Sequence, residues 1–332
     1  MAAATALRRW LCTSTATAAA AVASSSSSRG GGGFFLAKSL GGDVSSNRSI
    51  APSNGISQSR TMTTGPVTYG VLERGQLYTK DYRCYVTANG EIVSPWHDIP
   101  LVADADKKYY NMVVEIPRWT NAKMEDEKNS APRFVHNVFP HKGYPWNYGA
   151  LPQTWEDPAH LVPQTNAVGD NDPIDVIDIG STVKVVGVLA LIDEGETDWK
   201  LVGIDVNDPL AKDINSTADV ERLKPGYLRA TYEWFRSYKV PAGKPINKFG
   251  FNGEYQSAEF AHQIVEETNG YWKNLIQQAS PKLNTQSLQA DAAHAASQAE
   301  WKKGADAHGA PSDQLPPANI PLDVDVWHFI TD

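Results

Sequence analysis

Between Asp170 and Asp198 the chain sets eight carboxylates within 29 residues, in text patterned for β-strands. The run reads Asp170-Asn171-Asp172-Pro173-Ile174-Asp175-Val176-Ile177-Asp178-Ile179-Gly180, then, past an apolar stretch, Asp193-Glu194-Gly195-Glu196-Thr197-Asp198-Trp199-Lys200. Most acidic runs are solvated faces, but the alternation argues against that here. In a strand over 174–179, Asp175 points to the side of Ile177 and Ile179, because side chains alternate with period two. A carboxylate on an apolar face must be paired or bind a metal, since burying a bare charge is too costly. Several converging carboxylates offer only oxygen, which suits Mg²⁺ or Mn²⁺ better than a softer ion. The run predicts a hard-metal site.

A chain of 332 residues with 41% hydrophobic content can bury a sizeable core. Its net charge of −8 is unevenly spread. Residues 1–60 carry Arg8, Arg9, Arg29, Lys38, Arg48 and Arg60 against Asp43, a net of +5; the rest holds 24 basic and 37 acidic groups. An acidic body disfavours nucleic acid as a partner. No stretch reaches the roughly 18 apolar residues of a membrane span. The Arg-bearing, Ser- and Ala-rich, nearly acid-free start has the makeup of an organelle transit peptide, expected to be disordered over 1–61. Arg8-Arg9 before an apolar patch favours the mitochondrial matrix over the plastid, and Met62 opens text resembling an ordinary protein start, so a cytosolic form beginning there is a second expectation. Two cysteines, Cys12 and Cys84, make no disulfide framework.

From 62 to 332 the pattern predicts one domain. Turn-punctuated strands are expected at 83–87 (closed by Ala88-Asn89-Gly90), 111–116, 133–138, 174–179 and 183–192, a spacing that suits a closed barrel. Two main helices follow. One spans 225–238 with Pro225 as first helical residue; the other spans 257–278 with Ser257 as N-cap and Phe260, Ile264, Tyr271 and Leu275 near helical spacing. Residues 280–320 read as a loosely packed tail, anchored by Val326-Trp327-His328-Phe329-Ile330.

Further groups give the acidic run a chemical context. Glu115 shares a strand face with Val113; Lys123 and Glu125 point the same way from an extended segment; Arg133 heads an apolar strand. Asp198 and Lys200 lie on one face with Val202 and Ile204, and Tyr238-Lys239 ends the first helix. Carboxylates for metal beside Lys and Arg for an oxyanion is the combination phosphoryl transfer requires. Other readings fail on spacing. An EF-hand loop from Asp170 would need Gly at its sixth position and Glu at its twelfth, where Asp175 and Ser181 stand. There is no GxxxxGK[ST], HExxH or G-x-S-x-G. His136 and His141 read as loop histidines.

The strings Glu115–Glu125 (EIPRWTNAKME), Gly143-Tyr144 through Asn147-Tyr148-Gly149, Pro152–Pro158 (PQTWEDP), Gly169–Asp175 (GDNDPID) and Asp193–Lys200 (DEGETDWK) resemble those of family I soluble inorganic pyrophosphatases of the longer fungal and animal type, over about residues 68–330. The resemblance implies a mainly β fold, a five-stranded OB-like closed barrel with flanking helices, that hydrolyses pyrophosphate to two phosphates with several Mg²⁺ ions, as a homodimer; the leader would make it a mitochondrial form. Carried over residue by residue, Asp170, Asp175 and Asp198 match metal ligands, with Glu115 and Asp193 as further ones and Glu125 as a supporting acid. Asp172 matches the carboxylate that helps deprotonate the attacking water. Lys123, Arg133, Tyr148, Lys200, Tyr238 and Lys239 match phosphate-binding groups, and Tyr144 a proton donor. Two stretches depart from the pattern. Residues 126–132 are short by about a hairpin arm, which bears on the reach of Arg133, and 181–186 by most of a strand, which bears on barrel closure. An inactive relative retained as a phosphate-binding or scaffolding subunit is the alternative.

Overall fold

The period-two text around the acidic run is realised as a single mixed sheet. The computed structural model describes residues 67–123, 133–278, 282–288 and 295–330. Among the described residues nine strands make the sheet, and seven of them form its main path: β1 (Val102–Asp104), β2 (Tyr109–Asn111), β3 (Val113–Ile116), β4 (Asn147–Ala150), β5 (Asp175–Asp178), β6 (Thr182–Asp193) and β7 (Glu196–Asp205). They run in the order β1-β2-β6-β7-β5-β4-β3. Each neighbouring pair is antiparallel except β5 and β7, which run parallel.

The hairpin β6–β7 is the spine. Its turn uses Glu194 and Gly195, both at positive φ (52° and 96°), the geometry a two-residue turn needs to follow strand twist. Val186 bulges where the register shifts between Val185 and Gly187. The stretch 181–186, which the family pattern marks as short, supplies the start of this long strand and pairs with both β7 and β2. Past the bulge, the outer edge of β6 is covered by Lys248–Phe249 and Gln256–Ser257.

The two faces of the sheet carry separate cores. One gathers Tyr148, Ile177, Ile179, Val202 and Ile204 and is capped by Leu228, Trp234 and Phe235 from the helix Tyr227–Ser237. The other gathers Val176, Val188, Ala190 and Leu201 beneath Ala261, Ile264 and Val265 of the helix Ala258–Leu275. Four helices are described: α1 (Thr217–Leu223), α2 (Tyr227–Ser237), α3 (Ala258–Leu275) and α4 (Gln298–Ala307). Ser257 caps α3 as its sequence predicts, accepting from the Phe260 N–H at 3.3 Å.

The path is a curled half-barrel, in which the ends β1 and β3 are not neighbours among the described strands. Other expectations need correction. Ala122–Lys123 and Arg133–Phe134 form a two-stranded ribbon of their own instead of extending the path. Pro225 does not start α2. Lys224, ahead of the proline, is held outside the helical region (φ −133°), as the ring demands of a preceding residue, and Gly226 in the left-handed region becomes the cap. Helices α1 and α4 lie outside the two expected. The stretch read as a loose tail carries α4, and it is tied to the N-terminal hairpin by an Arg74–Asp306 ion pair at 2.9 Å. That hairpin, Tyr69–Arg74 with Arg83–Ala88, continues through the expected turn, Asn89 and Gly90 both at positive φ. Trp327–His328 pairs with Asn137–Val138, as anchoring predicts. The leader 1–61, Glu125 and 126–132 lie outside the described residues.

Asp178, at the end of β5, is buried completely. Its Oδ2 accepts from Asn147 Nδ2 at 3.4 Å, and its Oδ1 has no hydrogen-bond partner among the described residues. Burial, helped by the Asp205 charge, pushes its carboxyl from 3.8 up to about 7, against the Asn147 hydrogen bond. The folded chain therefore keeps a proton that the unfolded chain releases between these values, so stability falls as pH rises through that window. At 1.36 kcal/mol per unit the ceiling is on the order of 4 kcal/mol. The near-isosteric Asp178→Asn is expected to flatten the decline. Urea melts at pH 4.5, 6 and 7.5 measure it, and parallel curves for the two proteins would contradict it.

Candidate active site

Strand register builds the site. Lys200 on β7 stands directly opposite Asp175 on β5. Asp198 lies two residues earlier on the same face. Tyr148 on β4 faces Ile177, the next inward residue after Asp175. Lys200 Nζ donates to one carboxylate oxygen each of Asp175 and Asp198 and to the Tyr148 hydroxyl at 2.9 Å. The Tyr148 hydroxyl donates in turn to Asp175. Lys200 is 1% exposed and Asp198 5%, so these charges answer one another and not water. Burial pulls the Lys200 ammonium down, but Asp175 and Asp198 outweigh it and hold it above the ordinary lysine range. Burial, then Asp175 and Asp198, push the Tyr148 phenol far up, which keeps it a donor.

Asp198 also belongs to a second group. One oxygen each of Glu156, Asp170 and Asp198 lies within 4.8 Å of the others. Asp170 is held by an Asx turn, its Oδ1 accepting from the Asp172 N–H at 3.0 Å, with Asn171 between them at φ 74°. Around the single ammonium of Lys200 therefore stand four carboxylates: Glu156, Asp170, Asp175 and Asp198. Burial and mutual repulsion raise three of them: Asp198 to about 7, and Asp170 and Glu156 well above the carboxylate range. An all-oxygen, electronegative, partly dry cluster fits a hard divalent cation. Glu156 Oε2, buried and without a partner among the described residues, adds a donor such an ion would use.

A third group flanks the β6–β7 turn. Lys239 Nζ pairs with Asp193 at 2.7 Å and with Glu194 at 3.0 Å, and Lys244 takes the other Glu194 oxygen at 2.8 Å. The two lysines hold Glu194 down at about 2. Tyr238 donates to Asp193 at 3.1 Å; burial and then the Asp193 charge raise its phenol far up. Aromatic packing links the groups. Trp234 stacks on Tyr238 at 4.6 Å and meets Tyr144 at 4.6 Å, while Tyr144 meets Tyr148 at 5.1 Å. Lys123 Nζ lies over the Tyr148 ring at 5.6 Å.

Of the residues singled out from sequence, the fold thus gathers Lys123, Tyr144, Tyr148, Asp170, Asp172, Asp175, Asp193, Asp198, Lys200, Tyr238 and Lys239 on or beside one face. Glu115 stands on edge strand β3, outside the carboxylate trio, in the wall of the groove toward the N-terminal hairpin. Arg133 has its backbone opposite Lys123. Glu125 lies outside the described residues. Glu156 escaped sequence reasoning. It sits in a loop with no alternation to read, and only its place inside the PQTWEDP block set it apart.

A sequence model of the inorganic pyrophosphatase family matches residues 112–273. Over 298 residues the chain is 56% identical to inorganic pyrophosphatase 1 of Caenorhabditis elegans, covering 82% of this chain and 69% of that protein. Over 300 residues it is 47% identical to the inorganic pyrophosphatase of Drosophila melanogaster, covering 83% and 88%. The solved inorganic pyrophosphatase from Schistosoma japonicum superposes with a TM-score of 0.66 at 42% identity, covering 78% of this chain and all of that one.

Proposed function

This chain belongs to the eukaryotic type of family I inorganic pyrophosphatases and hydrolyses pyrophosphate; we propose that it does so with divalent cations, Mg²⁺ in particular, held by its inward carboxylates. The observation that carries this is the buried surplus of carboxylates over ammonium around Lys200. Asp170, Asp175 and Asp198 are the principal ligands, with Asp193, Glu115 and Glu125 completing the set. Bound there, the metal would lower the pKa of a coordinated water and neutralise phosphoryl oxygens.

The protein groups do the rest. Lys123, Arg133, Tyr148, Lys200, Tyr238 and Lys239 hold the two phosphoryl groups, Arg by its fork and Lys as point charges. Tyr148 and Tyr238, kept protonated, donate hydrogen bonds. Asp172, half-buried on the loop its neighbour Asp170 fixes, accepts the proton of the attacking water. As the new P–O bond forms and the bridging P–O bond breaks, negative charge gathers on the leaving phosphate. Lys200 and Lys239 stabilise it, and Tyr144 is the nearby proton donor. The gathering of these residues on one face disfavours a scaffolding subunit without activity.

Three readings rest on the sequence alone or on the resemblance: full closure of the barrel, import of the Met1 form into the mitochondrial matrix, and homodimerisation. For the last, the surface offers stacked, exposed Phe139 and Phe329, ring centres 5.1 Å apart, beside Trp327.

Asp172→Asn is expected to keep the fold and most metal affinity while lowering turnover by roughly 10²-fold or more, the size expected for loss of a positioned base. Asp175→Asn should instead weaken metal binding, so that added Mg²⁺ recovers part of the rate. Identical Mg²⁺ response curves for the two would refute this division of roles. Phe139→Asp is expected to yield monomers by sedimentation; a wild type that is itself monomeric at tens of micromolar removes the dimer. Two products are expected from one coding sequence, one imported and one cytosolic, beginning at Met62 or Thr63. Fractionation with N-terminal peptide mapping tests this, and the absence of any such cytosolic species shows the second start is unused.

A further inference from the structure

Asn137 stands outside the groups assigned above, yet its side chain ties together two segments that reach into the site. The residue is fully buried. Its Oδ1 accepts from Asn121 Nδ2 at 2.8 Å and from the Gly143 N–H at 2.9 Å. Its Nδ2 donates to Val324 O at 3.2 Å, in the C-terminal segment. Asn121 comes two residues before Lys123, and Gly143 comes directly before Tyr144. One carboxamide therefore links the segment that carries Lys123, the segment that carries Tyr144 and the C-terminal segment behind both.

The packing around this link leaves little freedom. Gly143 has φ +53°, and a Cβ there would meet Thr120 O at 2.2 Å. Tyr144 N–H donates to Thr120 O at 3.0 Å, and Trp119 N–H donates to Tyr144 O at 2.6 Å. Val135 N–H donates to Asn121 O, and Asn121 Nδ2 donates back to Val135 O, each at 2.8 Å. From behind, the backbone of Asn137–Val138 pairs with Trp327–His328. Few side chains could serve at this junction: a carboxylate accepts twice but cannot donate, and an apolar group does neither. Losing any of the three bonds would strand a buried polar group. We propose that Asn137 is a positioning residue for the reaction, setting Lys123 against Tyr144 while the C-terminal segment holds its amide from behind. This role rests on the phosphate-binding and proton-donating parts given to those two residues.

The test is a mutant cycle on the full chain, read as kcat/KM for pyrophosphate per folded molecule, with folding followed by circular dichroism. Asn137→Ala is compared with wild type, and again in a background that carries Lys123→Ala and Tyr144→Phe. Misplacement on the order of an ångström predicts a fall of roughly 10- to 100-fold in the native background. In the second background a fall of less than about threefold is expected, because the groups that Asn137 positions are already gone. A purely structural residue would cost the same factor in both. A fall no larger in the native background than in the second therefore overturns the role. A Lys123→Ala, Tyr144→Phe protein as active as wild type overturns instead the parts given to those two groups, and this role with them. Should Asn137→Ala not fold, Asn137→Asp takes its place under the same criteria; as a carboxylate it can accept from Asn121 and Gly143 but cannot donate to Val324.

Discussion

Lys200 is an ammonium buried at the centre of a β-sheet, and the architecture of the site follows from how its charge is answered. Parallel pairing of β5 with β7 sets Asp175 directly across from it, period-two geometry sets Asp198 on the same face two residues back, and Tyr148 reaches it from β4. A one-residue slip in any of these pairings would turn a charged side chain into the α3-facing core, where it has no partner. An uncompensated buried charge costs several kcal/mol, so the ion cluster and the register specify each other. The carboxylates then overshoot. Glu156 and Asp170 join the two that Lys200 already satisfies, and the surplus gives the cluster a composition that suits a cation, beyond that of a buried ion pair.

The aromatic layer of the same face supplies the second requirement, fixed position for groups that come from distant segments. Trp234 donates from its indole N–H to Gly143 O at 2.9 Å, and Trp146 donates to Thr231 Oγ1 at 2.9 Å. These bonds pin α2 against the segment that carries Tyr144 and Tyr148. Since α2 ends at Tyr238 and Lys239, docking it delivers those two groups to Asp193 at the tip of the β6–β7 hairpin. Polar groups from β4, β7 and the residues that follow α2 are thus held in place by buried packing, which preorganises them.

Much of the polar face was legible from residue order. Asp175 was expected beside Ile177 and Ile179, and Asp198 and Lys200 beside Val202 and Ile204, and these apolar residues share one core next to the charges. Local signals also held where the chemistry is local: Ser257 at the start of α3 and Asn89-Gly90 in the hairpin turn. Failures came where neighbours outweigh a local preference. Pro225 is a good first helical residue in isolation, but α1 ends just before it, and the connection needs the positive φ of Gly226. Closure of the barrel is not legible in residue order, because it depends on pairings between segments far apart in sequence; among the described residues Ala122–Lys123 pairs with Arg133–Phe134.

Alternation and composition alone determined that this chain turns carboxylates and a lysine inward from strands, a pattern that suits a hard cation; burial of charge leaves few other ways to use such text. Only the tertiary structure decided which carboxylates meet. Asp193 is closer in sequence to Asp198 than Asp175 is, yet it pairs with Lys239 near the hairpin tip, while Asp175 meets Lys200 through the parallel register. Glu156, in a loop without periodicity, becomes part of the cluster because its backbone is bonded to the Asp170–Asp172 loop and its side chain to β7. Period is a property of one strand and is written in it; convergence is a property of several, fixed by hydrogen-bond register and packing between them.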